Sequence, residues 1–214
     1  MDRDYYQNVR SEIFPLIGKT HGDVLDMGGG VGATSRALKQ AGLARQISLW
    51  DFDVKSVEDA GATREFDTVE RVDLNAPATW PMKRRYDLIL LLDVLEHLID
   101  PWQSLRAVAA CLSPKGEIII SLPNVRDVSV VAPLLLRGTW RYRDNGVLDR
   151  THMRFFTRRS MVELLEGSNL SVVEVMAIRN TSRRWINALS LGLLKDFTAK
   201  QYAFRCVFNG EVAQ

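Results

Sequence analysis

VLDMGGGVG, residues Val24 to Gly32, joins a short apolar run to a turn with four glycines. Residues without a Cβ let a backbone turn this tightly and come this close to a ligand. A helix-forming stretch, Thr34–Ala41, follows at once, so the unit is strand, glycine loop, helix. Open α/β sheets place a nucleoside-like cofactor at such a junction.

Downstream, β-rich runs at Gln46–Trp50, Val69–Asp73, Tyr86–Leu92 and Glu117–Leu122 alternate with helical stretches at Val54–Ala60 and Pro101–Leu112. Tyr86–Leu92 is almost wholly aliphatic, as a strand buried on both faces of a parallel sheet is. Ser113-Pro114-Lys115-Gly116 is expected to be the turn that enters the Glu117–Leu122 strand. The alternation predicts a parallel, doubly wound α/β sheet. Further along, a helix is expected over Met161–Gly167. Two β-rich segments, Ser171–Ile178 and Gln201–Phe208, flank another helix from about Arg183 to Leu194. Residues Asn124–Arg150 fit no regular pattern and form the largest insertion, a lid over about 124–157 in a single domain of 214 residues.

Two cofactor chemistries fit the glycine loop. Gly28, Gly30 and Ala33 satisfy G-x-G-x-x-A, in which a pyrophosphate rests on a helix N-terminus. Asp26 argues for the other: a carboxylate this close repels a pyrophosphate but stabilises a sulfonium and an ammonium. Asp51, Asp73 and Asp93 each close one of the later strands, which puts them with Asp26 along the rim where such sheets bind ligands. Asp51 can accept both hydroxyls of a ribose, with Phe52 covering an adenine face. Asp73 can accept from the adenine amino group while the Leu74 backbone meets a ring nitrogen, and Asp93 falls near the sulfonium. Any one such acid is as readily a helix cap; repetition after each strand carries the argument.

VLDMGGGVG, then LLDVLEHLIDPWQSL, then LSPKGEIIISLPNVRD, resemble the class I S-adenosylmethionine (SAM)-dependent methyltransferases. Gly138–Thr157, GTWRYRDNGVLDRTHMRFFT, and the opening YYQNVRSEIFPLI resemble a bacterial subgroup associated with surface-polysaccharide and other glycan biosynthesis. That subgroup is related in pattern to the ubiquinone O-methyltransferases. The resemblance implies a Rossmann-like seven-stranded sheet, mostly parallel with the last strand antiparallel, with helices on both faces. It implies SAM as cofactor, contacted by Asp26, Gly28, Gly30, Asp51, Phe52, Asp73, Leu74 and Asp93, with Tyr6 and Arg10 reaching the methionyl carboxylate. Gly29 stands where the subgroup often has cysteine, a change expected to leave cofactor binding intact.

Methyl transfer from a sulfonium is an in-line displacement, and holding the nucleophile in place is worth about 7–11 kcal/mol in well-oriented systems. An oxygen nucleophile also needs a base. Of the three histidines, His21 precedes the first strand and is expected to be a solvated loop residue. His97 follows the fourth strand, and His152 lies in the LDRTH part of the subgroup's motif. His152 is placed ahead of His97 as base. Each has a structural alternative, His152 tying the insertion to the sheet and His97 capping near Asp100-Pro101. Asp93, Glu96 and His97 also resemble the Glu-x-x-Glu-His cluster of the ubiquinone-type enzymes, where a divalent ion can take part. Asp93 is already claimed for cofactor contact, so no metal ligand is assigned.

The insertion is basic, with Arg137, Arg141, Arg143, Arg150, Arg154, Arg158 and Arg159 against Asp144 and Asp149. Guanidinium forks suit phosphate and carboxylate, and Trp140 and Tyr142 can stack on a sugar or base. Trp140, Arg141, Tyr142 and Arg150 are therefore expected to bind a small-molecule acceptor, an anionic or nucleotide-linked sugar methylated on a hydroxyl. A solvated arginine face is the plainer alternative.

A net charge of +2 gives little phosphate-tracking surface, and Asp93-Val94-Leu95-Glu96 stands where base methyltransferases carry D/N-P-P-Y/F, so no nucleic-acid partner is expected. The opening MDRDYYQN lacks the apolar core of a secretory signal, and no aliphatic run is long enough to span a bilayer. Cys111 and Cys206 lack metal-ligand spacing and are expected to be reduced core thiols of a cytoplasmic protein. The rival classes are a nicotinamide-dependent oxidoreductase and a SAM-binding protein without catalysis.

Overall fold

The computed structural model describes residues 8–179 and 194–209. Tyr6 and nearly all of the helix expected from about Arg183 to Leu194 lie outside the described residues. Strands β1 (His21–Met27), β2 (Ala44–Asp51), β3 (Thr68–Arg71), β4 (Tyr86–Leu92), β5 (Leu112–Pro123), β6 (Leu170–Arg179) and β7 (Ala199–Phe208) form one sheet of order β3-β2-β1-β4-β5-β7-β6. β1 to β5 are parallel, and β7 lies antiparallel between β5 and β6. The longer helices are α1 (Ala33–Gln40), α2 (Val54–Ala62), α3 (Pro101–Cys111), α4 (Val128–Arg137) and α5 (Arg158–Glu166). The seven-stranded sheet with its last strand antiparallel matches the expectation from sequence.

Side-chain alternation explains why the central strands are apolar throughout. Leu25, Met27, Ile89, Leu91, Ile118 and Ile120 fill one face of the sheet, while Val24, Leu88, Leu90 and Ile119 fill the other. Helix starts follow side-chain caps. Asp53 accepts from the Ser56 amide at 2.8 Å, Asp100 from Gln103 at 2.9 Å with Pro101 next to it, and Thr157 and Ser160 close a reciprocal capping box. That box starts α5 at Arg158, three residues ahead of the expected Met161.

The glycine loop turns through left-handed backbone at Gly28, Gly30 and Gly32, with φ of +74°, +56° and +73°. A Cβ on Gly32 would stand 2.2 Å from the Phe66 ring and 2.8 Å from Leu49. Gly32→Ala is therefore expected to cost about 2–4 kcal/mol, combining left-handed strain with overpacking. Urea unfolding measures this; a loss below about 1 kcal/mol would show that the loop relaxes freely.

Four expectations need correction. His21 is not a solvated loop residue: it opens β1, is buried, and places Nε2 3.6 Å from Glu117 Oε2 on β5, one strand beyond β4. Burial lowers its pKa. The third strand ends at Arg71, so Asp73 lies two residues beyond it. Ser113–Gly116 is no separate turn: β5 runs through it with a register shift opposite Tyr86 and Leu88, and Lys115 takes a φ of +70°. Finally, the irregular insertion contains α4, capped by Asp127 and ended by Gly138 in left-handed geometry. Its interior Pro133 costs a hydrogen bond, yet Val130 anchors the helix against Val147 and Leu148. Cys111 and Cys206 are buried free thiols, both pushed up to about 12 by burial. Among the described residues, no helix is long and apolar enough to cross a membrane.

Candidate functional site

The carboxyl ends of β1, β2 and β4 bring Asp26, Asp51 and Asp93 to the rim that the glycine loop crosses. Asp51 organises the loop: its Oδ2 accepts from the Gly30 amide at 2.7 Å and its Oδ1 from the Asp53 amide at 2.8 Å. Each oxygen keeps a further acceptor site for a ligand hydroxyl. Burial raises its pKa despite those bonds. Phe52 beside it is 59 % exposed, with the Arg71 guanidinium 5.1 Å from its ring centroid. Asp73 caps the next turn through Asn75 at 2.9 Å, and its carbonyl accepts from Trp80 Nε1 at 3.0 Å. Leu74 is buried, and its carbonyl accepts from Ser104 Oγ at 2.8 Å.

Asp26 lies almost wholly inside, under the loop, while the nearby Ser35 hydroxyl donates to the Gly32 carbonyl at 3.2 Å. A Cβ at Gly29 would fall 2.4 Å from the Asp26 carboxylate, so the glycine here lets Asp26 occupy this place. Burial pushes the Asp26 carboxyl up to about 6 from 3.8. A carboxyl with a raised folded pKa favours the fold at pH below 3.8 and loses that contribution as pH rises through about 6. Asp26→Asn is thus expected to stabilise the ligand-free protein above pH ~6 by at most about 3 kcal/mol, with the gain vanishing toward pH ~4. Melting curves across that range check it; a pH-independent difference would contradict the burial argument.

Asp93 is the most heavily bonded acid of the rim, held in left-handed backbone with a φ of +57°. Ser121 Oγ donates to its Oδ1 at 2.9 Å, Gln201 Nε2 donates to the same oxygen at 3.0 Å, and Arg10 pairs with its Oδ2. Arg10 also donates to Gln201 Oε1 at 2.9 Å, and its amide donates to Thr34 Oγ1 at 3.1 Å. Two expected cofactor residues, Arg10 and Asp93, are thereby brought together. Ser121, Gln201 and Thr34 were missed; Ser121 is the one polar side chain in the run Ile118–Leu122 and was the available signal.

Beyond Asp93 the chain packs a second polar group into the same region. Glu96 is 0 % exposed and neither carboxylate oxygen has a hydrogen-bond partner. Burial, then the nearby Asp93 charge, raises its pKa well above the usual carboxylate range. The Met153 and Arg154 amides donate to the Glu96 carbonyl at 2.8 and 3.1 Å, which carries His152 to it. His152 Nε2 stands 4.0 Å from Glu96 Oε1, and the His97 and His152 rings meet edge-on at 4.7 Å. His97 Nδ1 lies 3.2 Å from the Thr151 carbonyl and His152 Nδ1 3.1 Å from the Val147 carbonyl. A carbonyl only accepts, so each Nδ1 carries the proton and each Nε2 keeps a lone pair. His152 is buried, which with the neighbouring His97 lowers its pKa; His97 is half-exposed.

One donor atom each from Glu96, His97 and His152 lies within 4.8 Å of the others. Two imidazoles oriented through carbonyls and a carboxylate without another partner fit a divalent ion. This set differs from the Asp93-Glu96-His97 set considered from sequence, because Asp93 is committed to Arg10, Ser121 and Gln201.

The insertion supplies the outer wall. Trp140 stacks edge-on against Phe155 at 5.3 Å, Tyr142 tilts over the same ring at 6.2 Å, and Phe155 stands 6.3 Å from His152. Arg141 is exposed, whereas Arg150 pairs with Asp144 at 3.0 Å, both largely exposed. An open hollow of about 570 Å³ between Val9, Val31, Arg36 and Asp59 includes none of the rim acids.

A family model described as a methyltransferase domain matches residues 1–175. The chain belongs to this methyltransferase family. The rim fits SAM as a methyl donor: Gly28 cannot carry a Cβ without meeting Val94 at 2.6 Å, and the flanking acids suit a cation. Among curated relatives, the ubiquinone biosynthesis O-methyltransferases of Xanthomonas campestris pv. campestris (strain B100) and Xanthomonas oryzae pv. oryzae (strain PXO99A) are 28 % identical over 134 residues and 29 % over 133. Each match covers 56 % of this chain and 55 % of the relative, so the chain spans about half the length of the curated relatives it matches. Among solved structures, a SAM-dependent methyltransferase from Clostridium acetobutylicum aligns with a TM-score of 0.64 at 14 % identity, covering 98 % of this chain and 93 % of that one. One from Archaeoglobus fulgidus aligns at 0.65 and 18 % identity, covering 96 % and 94 %. These likenesses speak to the methyltransferase fold; the G-x-G-x-x-A overlap with nicotinamide enzymes is incidental to it.

Proposed function

We propose that this protein transfers the methyl group of SAM to a hydroxyl of a small anionic acceptor, a sugar or glycan intermediate, and that Glu96, His97 and His152 form the acceptor end of the site. The observation that carries the reading is the placement of a buried, unpartnered carboxylate and two oriented imidazoles directly after the rim acid Asp93. The names of the curated relatives, O-methyltransferases of ubiquinone biosynthesis, favour oxygen as the accepting atom.

SAM supplies an activated methyl on a sulfonium, so the chain's own residues have to bind, orient and deprotonate. Asp51 holds the ribose hydroxyls while fixing the loop through Gly30, Phe52 covers the adenine, and Asp73 with the Leu74 amide reads its edge. Asp26 and Asp93 supply negative charge toward the sulfonium and ammonium, and Arg10, tied to Asp93, faces the methionyl carboxylate. His97 Nε2 takes the hydroxyl proton. It is assigned this role ahead of His152 because His152 is buried with Nδ1 on Val147 and Nε2 toward Glu96, so that it orients His97 from behind. Were a divalent ion bound, Glu96, His97 and His152 would hold it, and it would polarise the acceptor oxygen. Trp140 and Tyr142 wall the acceptor, and Arg141 meets its anionic group. Arg150 joins it only by leaving Asp144, a small cost for an exposed pair.

Incubation with methyl-labelled SAM and a panel of acidic and phosphorylated sugars, with and without a chelator, tests this. Label in an O-methyl ether of an anionic acceptor is expected. Label on nitrogen or carbon, or transfer restricted to neutral acceptors, would overturn the acceptor assignment.

A further inference from the structure

Away from the rim, α4 carries a surface that methyl transfer does not use. Its inward residue Val130 packs with Val147 and Leu148, and Val125, Trp140 and Phe155 close around them. At 100° per residue, the opposite side holds Val131, Ala132, Leu135 and Leu136. Leu135 and Leu136 are 76 % and 82 % exposed. A helix apolar on both its inner and outer sides belongs inside a core or against lipid.

The chemistry that follows α4 selects between partners. Arg137 and Arg143 are exposed, and residues 128–143 contain no acidic side chain. Two adjacent exposed leucines followed directly in the chain by exposed arginines match an anionic bilayer: leucines enter the acyl boundary while guanidinium groups meet lipid phosphates. The position is also consistent with access to the reaction centre. α4 begins just past the end of β5, whose Ser121 holds Asp93, and the packing beneath it passes through Phe155 to His152.

We propose that α4 and the segment after it dock this protein on an anionic membrane surface through Leu135, Leu136, Arg137 and Arg143. This rests on the surface alone and holds whatever acceptor the site takes.

The test is co-sedimentation of the full chain with vesicles of phosphatidylcholine alone and of phosphatidylcholine mixed with phosphatidylglycerol. Binding to the mixed vesicles only, weakened by salt, is expected. Leu135→Ser with Leu136→Ser should weaken the partition at least about tenfold, the loss of two inserted leucines. Arg137→Gln should weaken it about fivefold at low salt. A retained rise in melting temperature on adding S-adenosylhomocysteine shows that each variant is folded. Wild-type protein left in the supernatant of both vesicle types would overturn the proposal, as would leucine variants that bind undiminished. So would a wild-type dimer in analytical ultracentrifugation that the leucine changes convert to monomer, because the face would then belong to a second copy of the chain.

Discussion

His97→Ala is expected to lower kcat by about 10²–10⁴-fold, the usual contribution of a positioned base, while SAM affinity stays within about twofold. The split follows from geometry. His97 shares its polar group with His152 and Glu96, whereas Asp51 and Asp73, the proposed adenosine contacts, belong to β2 and the turn after β3. Single-turnover kinetics with calorimetry on the same variant separates the effects. Equal losses in kcat and in SAM binding would mean that His97 supports the cofactor pocket rather than the acceptor. His97→Gln sharpens the comparison, since it retains hydrogen bonding but cannot take the proton at neutral pH.

The second large effect is on binding. Asp51→Ala should weaken SAM by about 10²–10⁴-fold, corresponding to two charge-assisted hydrogen bonds of about 1.5–3 kcal/mol each. Besides its proposed ribose contacts, the residue holds the loop. Without its carboxylate the Gly30 and Asp53 amides, now bonded at 2.7 and 2.8 Å, lose their acceptors, and the turn that must come close to the cofactor loosens. Asp51→Asn should lie between wild type and alanine, since an amide oxygen replaces one acceptor only. Titration of S-adenosylhomocysteine into each variant measures this. An Asp51→Ala protein that binds within about threefold of wild type would remove the ribose from that position.

What could be seen in the sequence was what depends on local pattern. The glycine loop, the aliphatic run of β4 and the acids at the ends of β1, β2 and β4 announce the sheet and its ligand edge, because backbone freedom and burial on two faces leave direct marks on composition. α4 escaped for a physical reason: with apolar residues all round and Pro133 inside, it shows neither a polar face nor an uninterrupted helix former run. His21 escaped because nothing near it in sequence announces Glu117, its partner within β5, 96 positions away by their numbering. The Glu96, His97 and His152 group is the clearest case. Glu96 and His97 were visible as neighbours, but His152 reaches them through main-chain bonds from Met153 and Arg154 to the Glu96 carbonyl. Likewise Gln201, on the last strand, comes to Asp93 only because β7 inserts between β5 and β6.

A crystal structure with S-adenosylhomocysteine and the methylated acceptor bound tests the central arrangement most directly. The account predicts ribose hydroxyls on Asp51, the sulfur between Asp93 and His97, and the acceptor oxygen within hydrogen-bond reach, about 2.6–3.2 Å, of His97 Nε2. A homocysteine turned away from Asp93, or an acceptor seated where none of Glu96, His97 and His152 reaches it, would contradict it.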